Sequence, residues 1–283
     1  MRLDFTKMNG AGNDFLVVLC TPGSTAEKFL SSPTLETEIT RVCDRRRGVG
    51  ADGFIFLTPL PEPCHFRMNF FNNDGSGASM CGNGLRCAGL FASEHGGGTE
   101  PVFETDGGTL TAEVLSAAVP PAVPGLVRIS IQVNEPFRAL GELNGFPSVY
   151  VGTAGVPHAI VPVENVDDID IVAAGRALRY HPAFPDGTNV DFVELSGDIH
   201  RIRTYERGVE DETPACGTGI TSAGIVLHDF VKKSKKVRFL SRSGAVLDVD
   251  ISQDGNILKG ETVFLTGPAE ATFSGSVIIP DQK

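Results

Sequence analysis

The chain has 283 residues, with 24 Lys and Arg against 35 Asp and Glu and a formal net charge of −11. That acidity argues against nucleic acid or an anionic membrane as the main partner, because both reward clustered basic side chains. Hydrophobic residues at 41% and charged residues at 21% exclude a disordered or fibrous chain, and at about 150 residues per domain the length predicts two domains.

The opening MRLDFTKMNGAGNDFLVVLC carries Asp4, Lys7 and Asp14 where an export signal needs an unbroken apolar run. No apolar stretch reaches the ~18 residues of a membrane span. A cytoplasmic protein with no membrane or nucleic-acid partner is expected. Its cysteines, Cys20, Cys43, Cys64, Cys81, Cys87 and Cys216, are expected as reduced thiols, and the absence of a C-x-x-C pair gives structural zinc no support.

In chain order, FLVVL (15–19) reads as a strand, and a helix follows over 33–44 with Ser32 as N-cap and Pro33 as its first residue. FIFL (54–57) and FRMNFF (66–71) read as strands, and 82–94 as a helix. AAVPPAVPG (117–125), with three prolines and no charge, is the expected crossing between domains. VRISIQV (127–133) is a strand, 167–179 a helix, IHRIRTYE (199–206) a strand and 217–232 a helix that ends in the solvated turn KKSKK (232–236). Many strands and few helices, without regular alternation, predict an α+β fold.

GVGADG (48–53) matches a dinucleotide-binding pattern literally, but a basic helix end precedes it and a strand follows, the reverse of what that site needs. No G-x-S-x-G elbow occurs, and histidines 65, 95, 158, 181, 200 and 228 lack metal-ligand spacing. No metal is expected.

CGNGLRCAG (81–89) and CGTGITSAG (216–224) share the pattern C-G-x-G-apolar-x-x-[CS]-A-G. Each follows a strand-like run with an Arg and aromatics and then an acidic turn, so two homologous domains are expected, each delivering one such turn. The glycines allow a tight turn into an apolar-faced helix, which puts Cys81 and Cys216 at helix N-termini. There the helix dipole favours thiolate and binds a carboxylate, and the thiol pKa is expected to fall from about 8.5 toward neutrality. If the domains face each other, two thiols converge on one α-carbon, one as base and one as acid, and a stereocentre is inverted without cofactor. Cys20, Cys43, Cys64 and Cys87 read as small buried side chains.

MNGAGNDF (8–15), NNDGSGASMCGNGLRC (72–87), PHAIV (157–161), GTNVDF (187–192) and YERGVEDETPACGTG (205–219) together resemble the diaminopimelate epimerase family, in order and through nearly the whole chain. The resemblance implies a cofactor-independent epimerase that interconverts LL- and meso-diaminopimelate for lysine and peptidoglycan precursors. It implies two similar domains in pseudo-twofold relation, each a mixed sheet or barrel-like layer curled around a central helix. They would be 1–122, with 271–283 returning to it, and 123–270. Members of the family are often homodimers.

By position, Cys81 and Cys216 correspond to the two acid/base cysteines, and the backbone N–H groups of Gly82, Asn83, Gly217 and Thr218 to the holders of the reacting carboxylate. His158 and Glu206 correspond to residues that engage the reacting amine and tune the thiols. Asn13, Asn72, Asn189 and Arg207 correspond to substrate contacts, the last three suiting the distal end. The chain departs from the usual G-N-P-H at Val156, which cannot hydrogen-bond that end. Two alternatives stay open: a racemase of a single-headed amino acid such as proline or hydroxyproline, and a protein that binds an amino acid without exchanging its α-hydrogen.

Overall fold

The computed structural model describes residues 1–78, 81–118 and 123–280. Residues 79–80, the middle of the proline-rich segment (119–122) and the last three of the segment 271–283 lie outside the described residues. The chain forms two compact units, one of residues 1–129 with 268–283 and one of residues 130–267.

The first unit holds β1 (Arg2–Gly10), β2 (Asn13–Leu19), α1 (Thr25–Leu30), α2 (Leu35–Cys43), β3 (Gly53–Pro59), β4 (Phe66–Asn72), β5 (Gly77–Ala78), α3 (Gly82–Glu94), β6 (Val102–Thr105), β7 (Gly108–Ser116) and the start of β8 (Gly125–Leu143). The second holds the rest of β8, then β9 (Phe146–Ala154), β10 (Val156–Val163), α4 (Ile171–Arg179), β11 (Asn189–Glu194), β12 (His200–Glu206), β13 (Asp211–Thr213), α5 (Gly217–Val226), β14 (Lys236–Leu240), β15 (Val246–Asp250) and the start of β16 (Thr262–Ile278). The rest of β16 belongs to the first unit, where Arg2 pairs with Ile278. The proline-rich segment joins β7 to β8, and the units divide inside β8 between Ile129 and Ser130.

The fold is α+β, and the duplication read from the two cysteine segments extends to the strand pairing. In the first unit β2 runs parallel to β3, β3 antiparallel to β4, β5 hangs on β4, and β4 runs parallel to β6. In the second unit β10 runs parallel to β11, β11 antiparallel to β12, β13 hangs on β12, and β12 runs parallel to β14. Each unit has one central helix enclosed by its strands, α3 against β1, β2, β3 and β7 and α5 against β9, β10, β11, β14 and β15.

Both central helices are buried on every side, Gly82–Ala92 in α3 and all of α5, as expected of helices with almost no polar face. The last glycine of the repeated pattern explains how they come so close to the strands. A Cβ at Gly89 would stand 2.7 Å from Ala112 Cβ on β7, and one at Gly224 2.7 Å from Val249 Cγ1 on β15. On the outer side of the first sheet, Phe29 of α1 packs edge-on against Phe54, which stacks on Phe56 at 4.8 Å.

Local chemistry moves helix boundaries and adds one short helix. The expected helix 33–44 begins at Leu35 with Thr34 as N-cap; the Ser32 hydroxyl accepts from Thr34 N at 3.2 Å and shapes a turn before the helix. An unanticipated short helix, α1, is capped by Ser24, whose oxygen accepts from Glu27 N. In place of one helix over 217–232, α5 ends at Val226 and widens into a π-turn at Leu227–Val231. The KKSKK lysines beyond it are largely solvent-facing, with Lys235 and Lys236 paired to Asp254 and Asp248.

Candidate active site

In the first unit Cys81 is the N-cap of α3, in extended conformation (φ −143°, ψ 114°), and its sulfur accepts from the Gly84 N–H at 3.4 Å. Asn83 is clamped from two sides: its Nδ2 donates to Asn13 Oδ1, and its Oδ1 accepts from Arg86 Nη2 at 2.8 Å. Asn13 in turn donates to Asp52 Oδ2 at 3.2 Å. Asn72 closes β4, its Nδ2 donating to Ser76 Oγ at 3.0 Å.

Arg86 is fully buried; besides Asn83 it donates toward the carbonyl oxygens of Gly82 (3.5 Å) and Pro268 (3.4 Å). Burial pulls its pKa down to about 10, against the opposing pull of Cys87 and Cys81. A buried cation in electrostatic reach of Cys81 favours the thiolate there, in addition to the helix dipole. Cys87, the next residue along the helix, is buried and pushed up to about 12 by that burial, and stands behind β1 against Gly10.

In the second unit Cys216 is the N-cap of α5, also extended (φ −109°, ψ 108°). Its sulfur lies 3.4 Å from Thr218 Oγ1, and Thr218 Oγ1 lies 2.9 Å from His158 Nε2. The other ring nitrogen, Nδ1, lies 2.7 Å from Asp191 Oδ2, and Asp191 Oδ1 accepts from the Thr204 hydroxyl at 2.7 Å. His158 and Asp191 start from parallel neighbours, β10 and β11, and their side chains are wholly buried. Gly219 makes room for the carboxylate: a Cβ there would sit 2.1 Å from Asp191 Oδ1.

The expectation of a thiol pKa near neutrality is corrected at Cys216. Burial, then Glu206, then Asp191 push it well above the ordinary value, and the Thr218 hydroxyl and Gly219 N–H only partly offset them. A helix N-terminus lowers a thiol pKa when the sulfur is hydrated; here the residue is 5% exposed and two carboxylates act on it.

Asn189 and Arg207 come together, Asn189 Oδ1 accepting from Arg207 N at 2.7 Å while the guanidinium donates to Asp186 O. Val156 opens β10 opposite Ala154. Both nitrogens of His158 have partners inside its unit, Asp191 and Thr218, and the ring reaches the thiol through Thr218. Asp191, Thr204 and Arg86 are functional candidates missed in the sequence. The signal for Asp191 is a lone acid between apolar residues in NVDFV. Among the described residues, no group of three or more His, Cys, Asp or Glu is arranged to hold a metal ion. No helix among them is long and apolar enough to cross a membrane.

The chain matches the family model described as diaminopimelate epimerase over residues 5–120 and 150–272. It is similar to the diaminopimelate epimerase of Aquifex aeolicus, 43% identical over 288 aligned residues that cover 96% of this chain and 97% of that one. In fold it is similar to a PhzF-family phenazine biosynthesis protein of Bacillus anthracis, with TM-score 0.71, 16% identity and coverage of 99% and 100% of the two chains. A hydroxyproline epimerase of Agrobacterium vitis superposes with TM-score 0.66 at 18% identity, over 99% of this chain and 93% of that one.

Proposed function

The chain belongs to the diaminopimelate epimerase family, and on that footing we propose how it epimerises diaminopimelate: Cys81 and Cys216 are the acid and base on opposite faces of the reacting α-carbon. The observation that carries the reading is the matched pair of cysteine N-caps, one at the buried central helix of each unit.

A thiolate removes the α-proton, its electron pair forming the new S–H bond, while the electrons of the broken C–H bond delocalise toward the carboxylate. That carboxylate is held by the backbone N–H groups of Gly82, Asn83, Gly217 and Thr218, where two helix dipoles oppose the growing negative charge. The other thiol returns a proton to the opposite face. The buried Arg86 supports Cys81 as the resting thiolate; burial with Glu206 and Asp191 supports Cys216 as the resting thiol.

Asn13 is a substrate contact held by Asn83 and Asp52. Asn72, Asn189 and Arg207 take the distal amino-acid end, with Val156 leaving that end to them. Glu206 engages the reacting amine. All six cysteines are free thiols, which suits a reducing cytoplasm. A homodimer, as members of the family often form, belongs to the same reading.

The test is α-hydrogen exchange in D₂O with reduced protein, using LL-diaminopimelate, meso-diaminopimelate, L-proline and L-hydroxyproline in separate samples. Exchange with diaminopimelate alone, together with the other stereoisomer appearing, is expected. Exchange only with proline or hydroxyproline would move the site to a single-headed substrate. Full activity in either Cys81→Ala or Cys216→Ala would overturn the two-thiol mechanism.

A further inference from the structure

We propose that Thr218 and Asp191 are positioning residues that tie the proton on Cys216 to the proton on His158, so that Cys216 becomes a base by handing its proton to the histidine through the Thr218 hydroxyl. The proposal rests on the reading of Cys216 as one of the two acid/base thiols and adds to it how a buried thiol changes roles.

Four groups form one buried chain: Cys216 Sγ, Thr218 Oγ1 at 3.4 Å, His158 Nε2 at 2.9 Å from that hydroxyl, and Asp191 Oδ2 at 2.7 Å from His158 Nδ1. Its polarity follows from the far end. The Asp191 carboxylate only accepts, as it does from Thr204 on its other oxygen. His158 Nδ1 must therefore carry a proton, and in the neutral ring Nε2 is the acceptor. The single Thr218 proton then points to Nε2, and the lone pairs of its oxygen face the thiol S–H. With His158 neutral, Cys216 is set up as a proton donor.

Reversal uses the same atoms. The S–H bond breaks as the proton passes to Thr218 Oγ1, leaving its electron pair on sulfur. At the same time the Thr218 O–H bond breaks as that proton passes to His158 Nε2 and forms an N–H bond. The products are a Cys216 thiolate that accepts from the Thr218 hydroxyl and an imidazolium held against Asp191. No proton leaves the buried cluster, and its net charge does not change. A lone thiolate is disfavoured here by burial and by Glu206 and Asp191; one formed beside an imidazolium is compensated. Thr218 thus contributes its hydroxyl to this exchange and its backbone N–H to the substrate carboxylate, and the two roles are separable.

The experiment measures kcat and KM for diaminopimelate in both directions with Thr218→Val, Thr218→Ala and Thr218→Ser, beside Cys216→Ala. Val keeps the volume and the N–H but cuts the chain; Ala cuts it without any risk of overpacking. Val and Ala are expected to lower kcat by about 10²–10⁴-fold, the usual worth of placed acid/base chemistry, with KM within about 3-fold of wild type. Ser is expected to recover kcat to within about 10-fold, because it restores the hydroxyl. Wild-type kcat in Val or Ala, or Ser as impaired as both, overturns the relay. A dead Cys216→Ala beside a fully active Thr218→Val overturns the relay alone; a fully active Cys216→Ala overturns the two-thiol reading and the relay with it.

Discussion

Asp191 fixes the ring of His158: its Oδ2 lies 2.7 Å from Nδ1, both side chains are completely buried, and its other oxygen is tied to Thr204. Asp191→Asn keeps the shape but puts an amide where an acceptor stood, so either the Thr204 or the His158 bond is lost or the ring changes tautomer. Urea unfolding is expected to show a loss of about 1–3 kcal/mol, the cost of a buried polar group left unpaired. Turnover of diaminopimelate should fall at least about 10²-fold. An Asn variant with wild-type turnover would mean that something other than Asp191 orients His158.

The matched glycines Gly84 and Gly219 differ in what surrounds them. A Cβ at Gly219 meets Asp191 Oδ1 at 2.1 Å and Cγ at 2.9 Å, and this carboxylate cannot retreat without releasing His158 or Thr204. A Cβ at Gly84 meets Ile55 Cδ1 at 3.3 Å, the flexible tip of a side chain. Gly219→Ala is therefore expected to lose about 1–3 kcal/mol by overpacking and much of its activity. Gly84→Ala should stay within about 1 kcal/mol of wild type, since alanine's helix preference offsets the contact. Thermal melts of the two variants side by side check this, and equal losses would refute it.

What the sequence made legible was local. The helix 82–94 and both cysteine N-caps are written in the adjacent glycines, and the duplication in the repeated C-G-x-G. Asp191 was not legible as a partner of His158, because 33 residues separate them and only the parallel pairing of β10 with β11 brings them together. The burial of Arg86 was hidden for a related reason: a charged residue four places along a helix normally faces solvent, and only a helix enclosed by strands leaves it no such face. The long strands β8 and β16 were legible only in part. Register shifts at Glu135–Arg138 and around Gly141 break the period-two pattern of β8.

Acid should weaken the first unit through Asp14. Burial works against its charge, but hydrogen bonds from Arg45 (2.9 and 2.7 Å) and from Lys7 outweigh it and hold the carboxyl below the usual range. Its folded pKa is depressed, so as pH falls the unfolded chain takes up the proton first. The stabilisation is complete above the unfolded value of about 3.9 and drains away as pH drops from there toward the folded pKa. Asp14→Asn should be less stable than wild type at pH 7 and show a shallower decline below about pH 4. Denaturant unfolding followed across that range tests it, and parallel curves for the two proteins would show that Asp14 carries no linked proton.

The six thiols should separate under alkylation of the native protein. Cys43 and Cys87 are pushed up to about 12 by burial, and Cys20 and Cys216 are raised by the same cause. At pH 8 a thiol with pKa near 12 is thiolate only about once in ten thousand, and the thiolate is the nucleophile. Cys81 is half-buried, at a helix N-terminus and near the Arg86 cation, so iodoacetamide should label it first, with loss of activity in step. Cys64, also half-buried, supplies the internal control: diaminopimelate should slow labelling of Cys81 and leave Cys64 unchanged, as read by mass spectrometry of the digested protein. Labelling of Cys87 or Cys43 at the rate of Cys81 would contradict the burial on which this ordering depends. Equal protection of Cys81 and Cys64 would mean that substrate acts on the stability of the chain and not on the thiol itself.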